Sequence, residues 1–201
     1  NNVPNRWHTF TGQIWANKKG IYKKFLKLMD KLIIYFSNKI FADSKSQIEL
    51  LKEEKIIKNE KIIVLGQGSI SGVDTEKFRD DFEFKKMFRK SINCKENSCV
   101  FLFLGRIKKE KGILQMFEIF KKFEYKFHNS EFWIVGPDEE NLKHELMNGF
   151  DFKMPIVRWF DFTSDPQKFM KSSDILLLPS SREGFGNVII EAASCAIPTV
   201  A

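Results

Sequence analysis

The sequence predicts a doubly wound α/β protein, and three observations predict it. The last 23 residues, Pro179 to Ala201, follow an apolar run (Ile175-Leu-Leu-Leu178) and read as loop, helix and second apolar strand. That order, with Pro179, Gly184 and Gly186 in the loop and Pro198 opening the last strand, is a βαβ unit. Upstream, Cys99-Val-Phe-Leu-Phe-Leu104 is continuously apolar, as a parallel strand buried on both faces must be. It runs straight into Gly105-Arg-Ile-Lys-Lys-Glu-Lys-Gly112 and a helical pattern, so strand, glycine-bearing loop and helix occur twice. In such proteins ligands sit beyond the carboxyl ends of the strands, where backbone N–H groups at a helix start attract anions.

The other elements follow in order. Asn1 to Trp15 starts like a strand and leads to a loop at Gly12. Lys18 to Phe36 reads as an amphipathic helix, with Ile21, Phe25, Leu28/Met29, Leu32 and Phe36 at spacings of three and four and six lysines elsewhere. The expectation is that this apolar stripe packs on the sheet and the lysines are solvated. The other reading of a basic amphipathic helix is peripheral contact with an anionic membrane. A short strand before Ser44 meets a helix-cap signal at Ser44, and Lys61–Leu65 is a further strand. Gly66-Gln-Gly68 reads as a turn that redirects the chain. Residues 79–98 hold a charged helical stretch and a polar loop, and a helix is expected over 113–127. Glu131 to Pro137 is a strand followed by an acidic helix start, 156–160 is another, and Asp165-Pro166 caps a helix through Lys171.

Composition narrows the function. With 43% hydrophobic and 29% charged residues the chain is globular rather than disordered. No apolar run approaches the roughly 18–20 residues that span a bilayer, and no stretch reads as a signal peptide. Cys94, Cys99 and Cys195 form no CxxC and suit reduced thiols; with His8, His128 and His144 scattered, no metal site is expected. A cytoplasmic protein is expected, with the inner face of the cell membrane as a peripheral location. The net charge of +7 is uneven: residues 1–75 hold 13 Lys/Arg against 7 Asp/Glu, residues 76–201 hold 20 against 19. No nucleic-acid-binding motif accompanies the basic surplus, so nucleic acid is not an expected partner. The chain starts on Asn1 and stops on a strand, so a piece of a longer protein is expected.

Glu183 and Glu191 lie eight residues apart, one in the loop and one in the second turn of the following helix. With a nucleotide phosphate at the helix start, Glu183 reaches the sugar end of a sugar nucleotide and Glu191 the ribose hydroxyls. Such a pair alone is common by chance; the surrounding string is not. Pro-Ser-x-x-Glu-Gly-Phe-Gly, four residues, Glu-Ala and a Pro-Thr-Val-Ala strand resembles the donor-site signature of family 4 glycosyltransferases, the glycosyl transferases group 1. One departure is Cys195-Ala196-Ile197-Pro198, where many relatives carry glycine before the proline.

The resemblance implies a GT-B type fold: the end of an acceptor-side domain over 1–75 and most of a nucleotide-sugar domain over 76–201. It implies a retaining transferase that moves a sugar from a nucleoside diphosphate sugar, expected to be a UDP-sugar, to a glycan or lipid-linked hydroxyl in polysaccharide biosynthesis, without a bound metal or other cofactor. Gly105-Arg106…Lys111-Gly112 resembles the family's second donor motif, so Arg106, Lys111, Gly184, Phe185 and Gly186 are implied to hold the diphosphate, Glu183 the sugar and Glu191 the ribose. His8 resembles the histidine of the acceptor-domain loop that approaches the transferred sugar. In relatives the loop after the 156–160 strand lies near the base, so Trp159 or Phe160 stacks there or belongs to the core. The rival expectations are a non-catalytic sugar-nucleotide-binding scaffold and a sugar-nucleotide epimerase of the same architecture.

Overall fold

The computed structural model describes residues 3–58, 62–122, 126, 128–149, 156–181, 183 and 185–201. They form two compact units, Asn1–Gly72 with Glu183–Gly186, and Val73–Arg182 with Asn187–Ala201.

The first unit is a three-stranded parallel sheet in the order β1 (Trp7–Phe10), β2 (Lys39–Ala42), β3 (Ile62–Val64). Helices α1 (Gly20–Phe36) and α2 (Lys45–Glu53) make the two crossovers. Phe10, Trp15, Ile34, Ile40, Leu51, Ile56 and Ile57 form its core. Ser44 caps α2 as its sequence suggests, its Oγ accepting from the Gln47 N–H at 3.2 Å.

Helix α1 turns the opposite way from the expected one. Trp15, 1% exposed, sits beneath it and donates its Nε1–H to Asp30 Oδ2 at 2.6 Å. The ammonium groups of Lys23 and Lys27 lie 5.5 and 5.7 Å from the Trp15 ring and both pair with Glu54, at 2.7 and 2.9 Å. The packed face therefore carries Lys23, Leu26, Lys27, Asp30 and Ile34. Ile21, Phe25, Leu28, Leu32 and Phe36, expected against the sheet, are 87, 54, 52, 40 and 58% exposed. The physical reason is that long lysine stems cover an aromatic ring as well as aliphatic chains do, once Glu54 answers their charge.

The second unit is a five-stranded parallel sheet in the order β6 (Ile156–Phe160), β5 (Ser130–Val135), β4 (Cys99–Leu104), β7 (Ile175–Leu177), β8 (Thr199–Val200). Among the described residues five helices accompany it: α3 (Phe82–Ser91), α4 (Ile113–Lys122), α5 (Leu142–Gly149), α6 (Pro166–Ser172) and α7 (Asn187–Ser194). Alternate residues feed two cores, as a pleated strand buried on both faces requires. Val100, Leu102, Trp133 and Val135 join Phe169, Met170, Leu176 and Ala192. Phe103, Phe132 and Ile134 join Ile113, Met116, Phe117 and Phe120. The helix expected over 113–127 is described over Ile113–Lys122, and residues 123–125 and 127 of that expectation lie outside the described set. The acidic run after β5 precedes α5 rather than starting it: Asp138 accepts from the N–H groups of Leu142 and Lys143.

Two ionic knots, one on the fully buried Glu131 and one on the partly buried Asp174, tie this unit together. Glu131, fully buried in β5, accepts from Arg158 Nε at 2.7 Å, from Trp133 Nε1 at 2.8 Å and from the Lys95 N–H at 3.2 Å. Asp174 accepts from Lys85 Nζ at 2.6 Å and, through its other oxygen, from Arg89 Nη2 and the Val100 N–H at 2.7 Å each. The three cysteines are free, and burial pushes the Cys94 and Cys195 thiols up to about 11.

Candidate functional site

The sheet of the second unit reverses direction at its centre. From β4 the chain moves outward through β5 to β6, and β7 returns to the other side of β4 before β8. The carboxyl ends of β4 and β7 therefore flank the switch point, where α/β sheets open a crevice for ligands. Both loops singled out in the sequence start there.

The first runs from Gly105 to Gly112, with a short 3-10 turn over Lys109–Lys111. Gly105 and Gly136 cross so closely that a Cβ on Gly136 would lie 2.1 Å from the Gly105 carbonyl oxygen. Ile107 then pairs with the 136–139 segment: its N–H donates to Pro137 O, and the Glu139 N–H donates back to Ile107 O. The second loop follows β7. A Cβ on Gly112, at φ +74°, would stand 2.1 Å from Pro179 O. Ser181 donates both its N–H and its Oγ–H to Glu110 O, at 3.0 Å each. The two loops are thus one piece of backbone, which only glycine at 112 permits.

Arg106 and Lys111 both lie on this piece. The Arg106 guanidinium is half exposed, 3.6 Å from a Glu139 carboxylate oxygen that Lys108 also holds at 2.6 Å. The Lys108 contact, joined by Arg106, holds the Glu139 carboxyl below its usual range. Sequence reasoning gave Lys108 no role and missed Glu139, whose place opposite the strand-end cations depends on the crossing at Gly105 and Gly136. Helix α7 begins at Asn187, directly after Gly186 at φ +74°. Glu191 lies in its second turn, half-buried, and burial alone pushes its carboxyl up. Among the described residues no hydrogen-bond donor meets it, so a ligand hydroxyl there would answer an uncompensated carboxylate.

Of the remaining predicted residues, Gly184 lies outside the described set. Glu183, Phe185 and Gly186 group with the first unit, Glu183 exposed and Phe185 half-buried. Within that unit the Phe185 ring covers Gly68: a Cβ on Gly68 would meet it at 2.5 Å. His8 belongs to strand β1 rather than to the loop expected for it. It lines a pocket of about 200 Å³ in the first unit together with Thr11, Gln13, Trp15, Asp30 and Ile33. Asp30, missed in the sequence, is pushed up by burial, an effect moderated by the Trp15 hydrogen bond and the neighbouring His8. Trp159 and Phe160 both have core partners, Trp159 packing on Phe117 and Phe160 on Phe169. Among the described residues no group of three or more His, Cys, Asp or Glu could hold a metal ion.

Comparisons with known proteins agree with this architecture. The chain is 33% identical over 199 residues to the capsular polysaccharide biosynthesis glycosyltransferase CapM of Staphylococcus aureus, covering 98% of this chain and 52% of that protein. It is 29% identical over 209 residues to the UDP-Gal:alpha-D-GlcNAc-diphosphoundecaprenol alpha-1,3-galactosyltransferase of Escherichia coli, covering 98% of this chain and 51% of that one. The chain thus spans about half the length of the relatives it matches. The solved structure of Anabaena HepE with UDP and glucose superposes with a TM-score of 0.80 at 16% identity, covering 97% of this chain and 52% of that one. At that identity the likeness speaks for the fold, which is the α/β GT-B type. The sequence model described as "Glycosyl transferases group 1" matches residues 84–201, more than half of the chain. The chain therefore belongs to the glycosyl transferases group 1 family.

Proposed function

We propose that the whole protein is a retaining glycosyltransferase that moves a sugar from a UDP-sugar to a hydroxyl of a glycan or lipid-linked acceptor in polysaccharide biosynthesis. The observation that carries this reading is the locked loop pair at the switch point of the second unit, which presents Arg106 and Lys111 beyond the ends of β4 and β7. When the glycosidic bond of a nucleotide sugar breaks, negative charge develops on the departing diphosphate, and stabilising that charge is the main task. Arg106 offers a planar fork to two phosphate oxygens and Lys111 a point charge. A diphosphate bound there competes with Glu139 for Arg106. Glu191, half-buried and without a donor among the described residues, accepts from the ribose hydroxyls; Glu183 holds the sugar hydroxyls and His8 approaches the transferred sugar. No step calls for a bound metal or other cofactor.

Two findings support the donor and acceptor classes. HepE is solved with UDP and glucose, and the printed name of the E. coli relative gives a UDP-sugar donor and a diphosphoundecaprenol acceptor. A lipid-linked acceptor would accord with a reaction run at the inner face of the cell membrane, which is part of this proposal.

The test uses the full-length protein. UDP, GDP, ADP and UMP are compared for thermal stabilisation, and one diphosphate is expected to exceed its monophosphate. Arg106→Ala is expected to weaken that diphosphate by roughly 10- to 100-fold, the worth of a charged hydrogen bond, and to leave nucleoside binding alone. Equal losses for both would remove Arg106 from the phosphate. Glu183→Ala is expected to lower transfer by at least about 100-fold with diphosphate binding kept, and retained turnover would end that role. Wild-type protein that binds the diphosphate without transferring sugar would leave the scaffold reading in place.

A further inference from the structure

The inference concerns the outward side of α1. At about 100° per residue, Ile21, Phe25, Leu28, Leu32, Tyr35 and Phe36 fall in one stripe along the helix, and Lys23, Leu26, Lys27, Asp30 and Ile34 fall on the other side. The second set is packed on Trp15 and the unit's core. The first set is exposed along its whole length, Ile21 at 87% and Tyr35 at 80%. A helix that covers a sheet needs one apolar side. This helix has a second one, turned away from its own unit.

We propose that this face docks on an anionic phospholipid surface, with the helix lying in the plane of the headgroups. The stripe mixes aliphatic and aromatic side chains, the kind that enter the acyl boundary and the interface. Lys18, Lys19, Lys24 and Lys31 are exposed around it. Asp30, the one carboxylate of α1, is on the packed side and is held by Trp15. The outward face therefore presents apolar bulk and positive charge with no negative group, which complements anionic headgroups. A second copy fits less well, because a two-fold contact through this face would bring the same lysines together. No helix among the described residues is long and apolar enough to cross the bilayer, so α1 is assigned to its surface. The inference deepens the acceptor side of the proposed function, since a lipid-linked acceptor would be met at such a surface, and it is tested without any transfer assay.

Full-length protein is sedimented with vesicles of phosphatidylcholine alone or with phosphatidylglycerol added. Binding is expected only with phosphatidylglycerol, and raised salt is expected to release it. Phe25→Ser with Leu28→Ser is expected to weaken partitioning by roughly tenfold or more. Lys24→Glu with Lys31→Glu is expected to weaken it by about fivefold or more per lysine. All four side chains are exposed, so melting temperatures should hold. Absent binding to phosphatidylglycerol vesicles, or binding indifferent to both variants, overturns the proposal. So does a wild-type dimer that Phe25→Ser/Leu28→Ser turns into a monomer, which assigns the face to a second copy. A large fall in melting temperature for that variant also overturns it and assigns the face to the protein's own chain. Vesicle binding without diphosphate stabilisation would sink the transferase reading and keep the docking face; the reverse would sink only the docking face.

Discussion

Glu131→Ala is expected to destabilise the second unit by about 3–5 kcal/mol, the usual cost of removing one partner from a buried ion pair. The Glu131 side chain is fully buried and the Arg158 side chain, which brings its guanidinium to it, is 26% exposed. Alanine would take the Glu131 carboxylate from that guanidinium, leaving it the Ile92 and Asn93 carbonyls, and would remove the acceptor of the Trp133 indole N–H and the Lys95 amide. Glu131→Gln keeps an acceptor oxygen and should lose less. Glu131→Leu with Arg158→Met, which removes both charges, should recover much of the alanine loss, since paired apolar replacement of a buried ion pair is often neutral. Urea unfolding followed by tryptophan fluorescence measures all three. A loss below about 1 kcal/mol for Glu131→Ala, the range of exposed pairs, would mean that the knot does not form.

Asp174→Ala should cost about 2–4 kcal/mol, because one carboxylate serves three donors from α3 and β4. Its effect should also show in acid. Burial raises the Asp174 carboxyl, but Lys85, the Val100 N–H and Arg89 outweigh burial and hold it below its usual range. Glu131 behaves alike: burial raises it, and Arg158, Trp133 and the Lys95 N–H bring it down. On acidification the unfolded chain takes up these protons first. The stability they supply is complete above the ordinary carboxylate range, roughly pH 4, and is lost as pH falls through the lower folded values. Unfolding free energy measured against pH should therefore drop on the acid side, and Asp174→Asn should flatten part of that drop. An unchanged acid limb in that variant would take Asp174 out of the account.

Legibility in the sequence followed burial. Strands β4 and β7 read as unbroken apolar runs, and β5 does so from Phe132 to Val135, because the sheet is covered on both faces, and these runs could be read directly. The loops at 105–112 and 179–186 were legible because close backbone approach demands glycine at fixed places, above all at Gly112. Helix α1 misled because periodicity reports that a helix has an apolar side but not which way that side turns; Trp15 and Glu54, outside the helix, decide it. Glu131 and Arg158 stand within otherwise ordinary strand runs, and a buried ion pair leaves no local pattern. Asp30 was hidden for the same reason, since its link to the His8 pocket depends on how a helix lies over a turn. Glu139 reads as one acid in an acidic run, and only the close crossing of two strand ends sets it opposite Arg106 and Lys108.

The interlock at Gly112 and Pro179 has a practical corollary for anyone recombining such proteins. Segments around 105–112 and 179–181 are some seventy positions apart in the chain, so a crossover between parents would ordinarily separate them. Each is shaped by the other's main chain: glycine opposite a carbonyl on one side, Ser181 hydroxyl and amide on Glu110 on the other. A chimera that takes one segment from a relative inherits half of a fitted joint. Exchanging both together is the smallest transplant that preserves the backbone on which Arg106 and Lys111 stand.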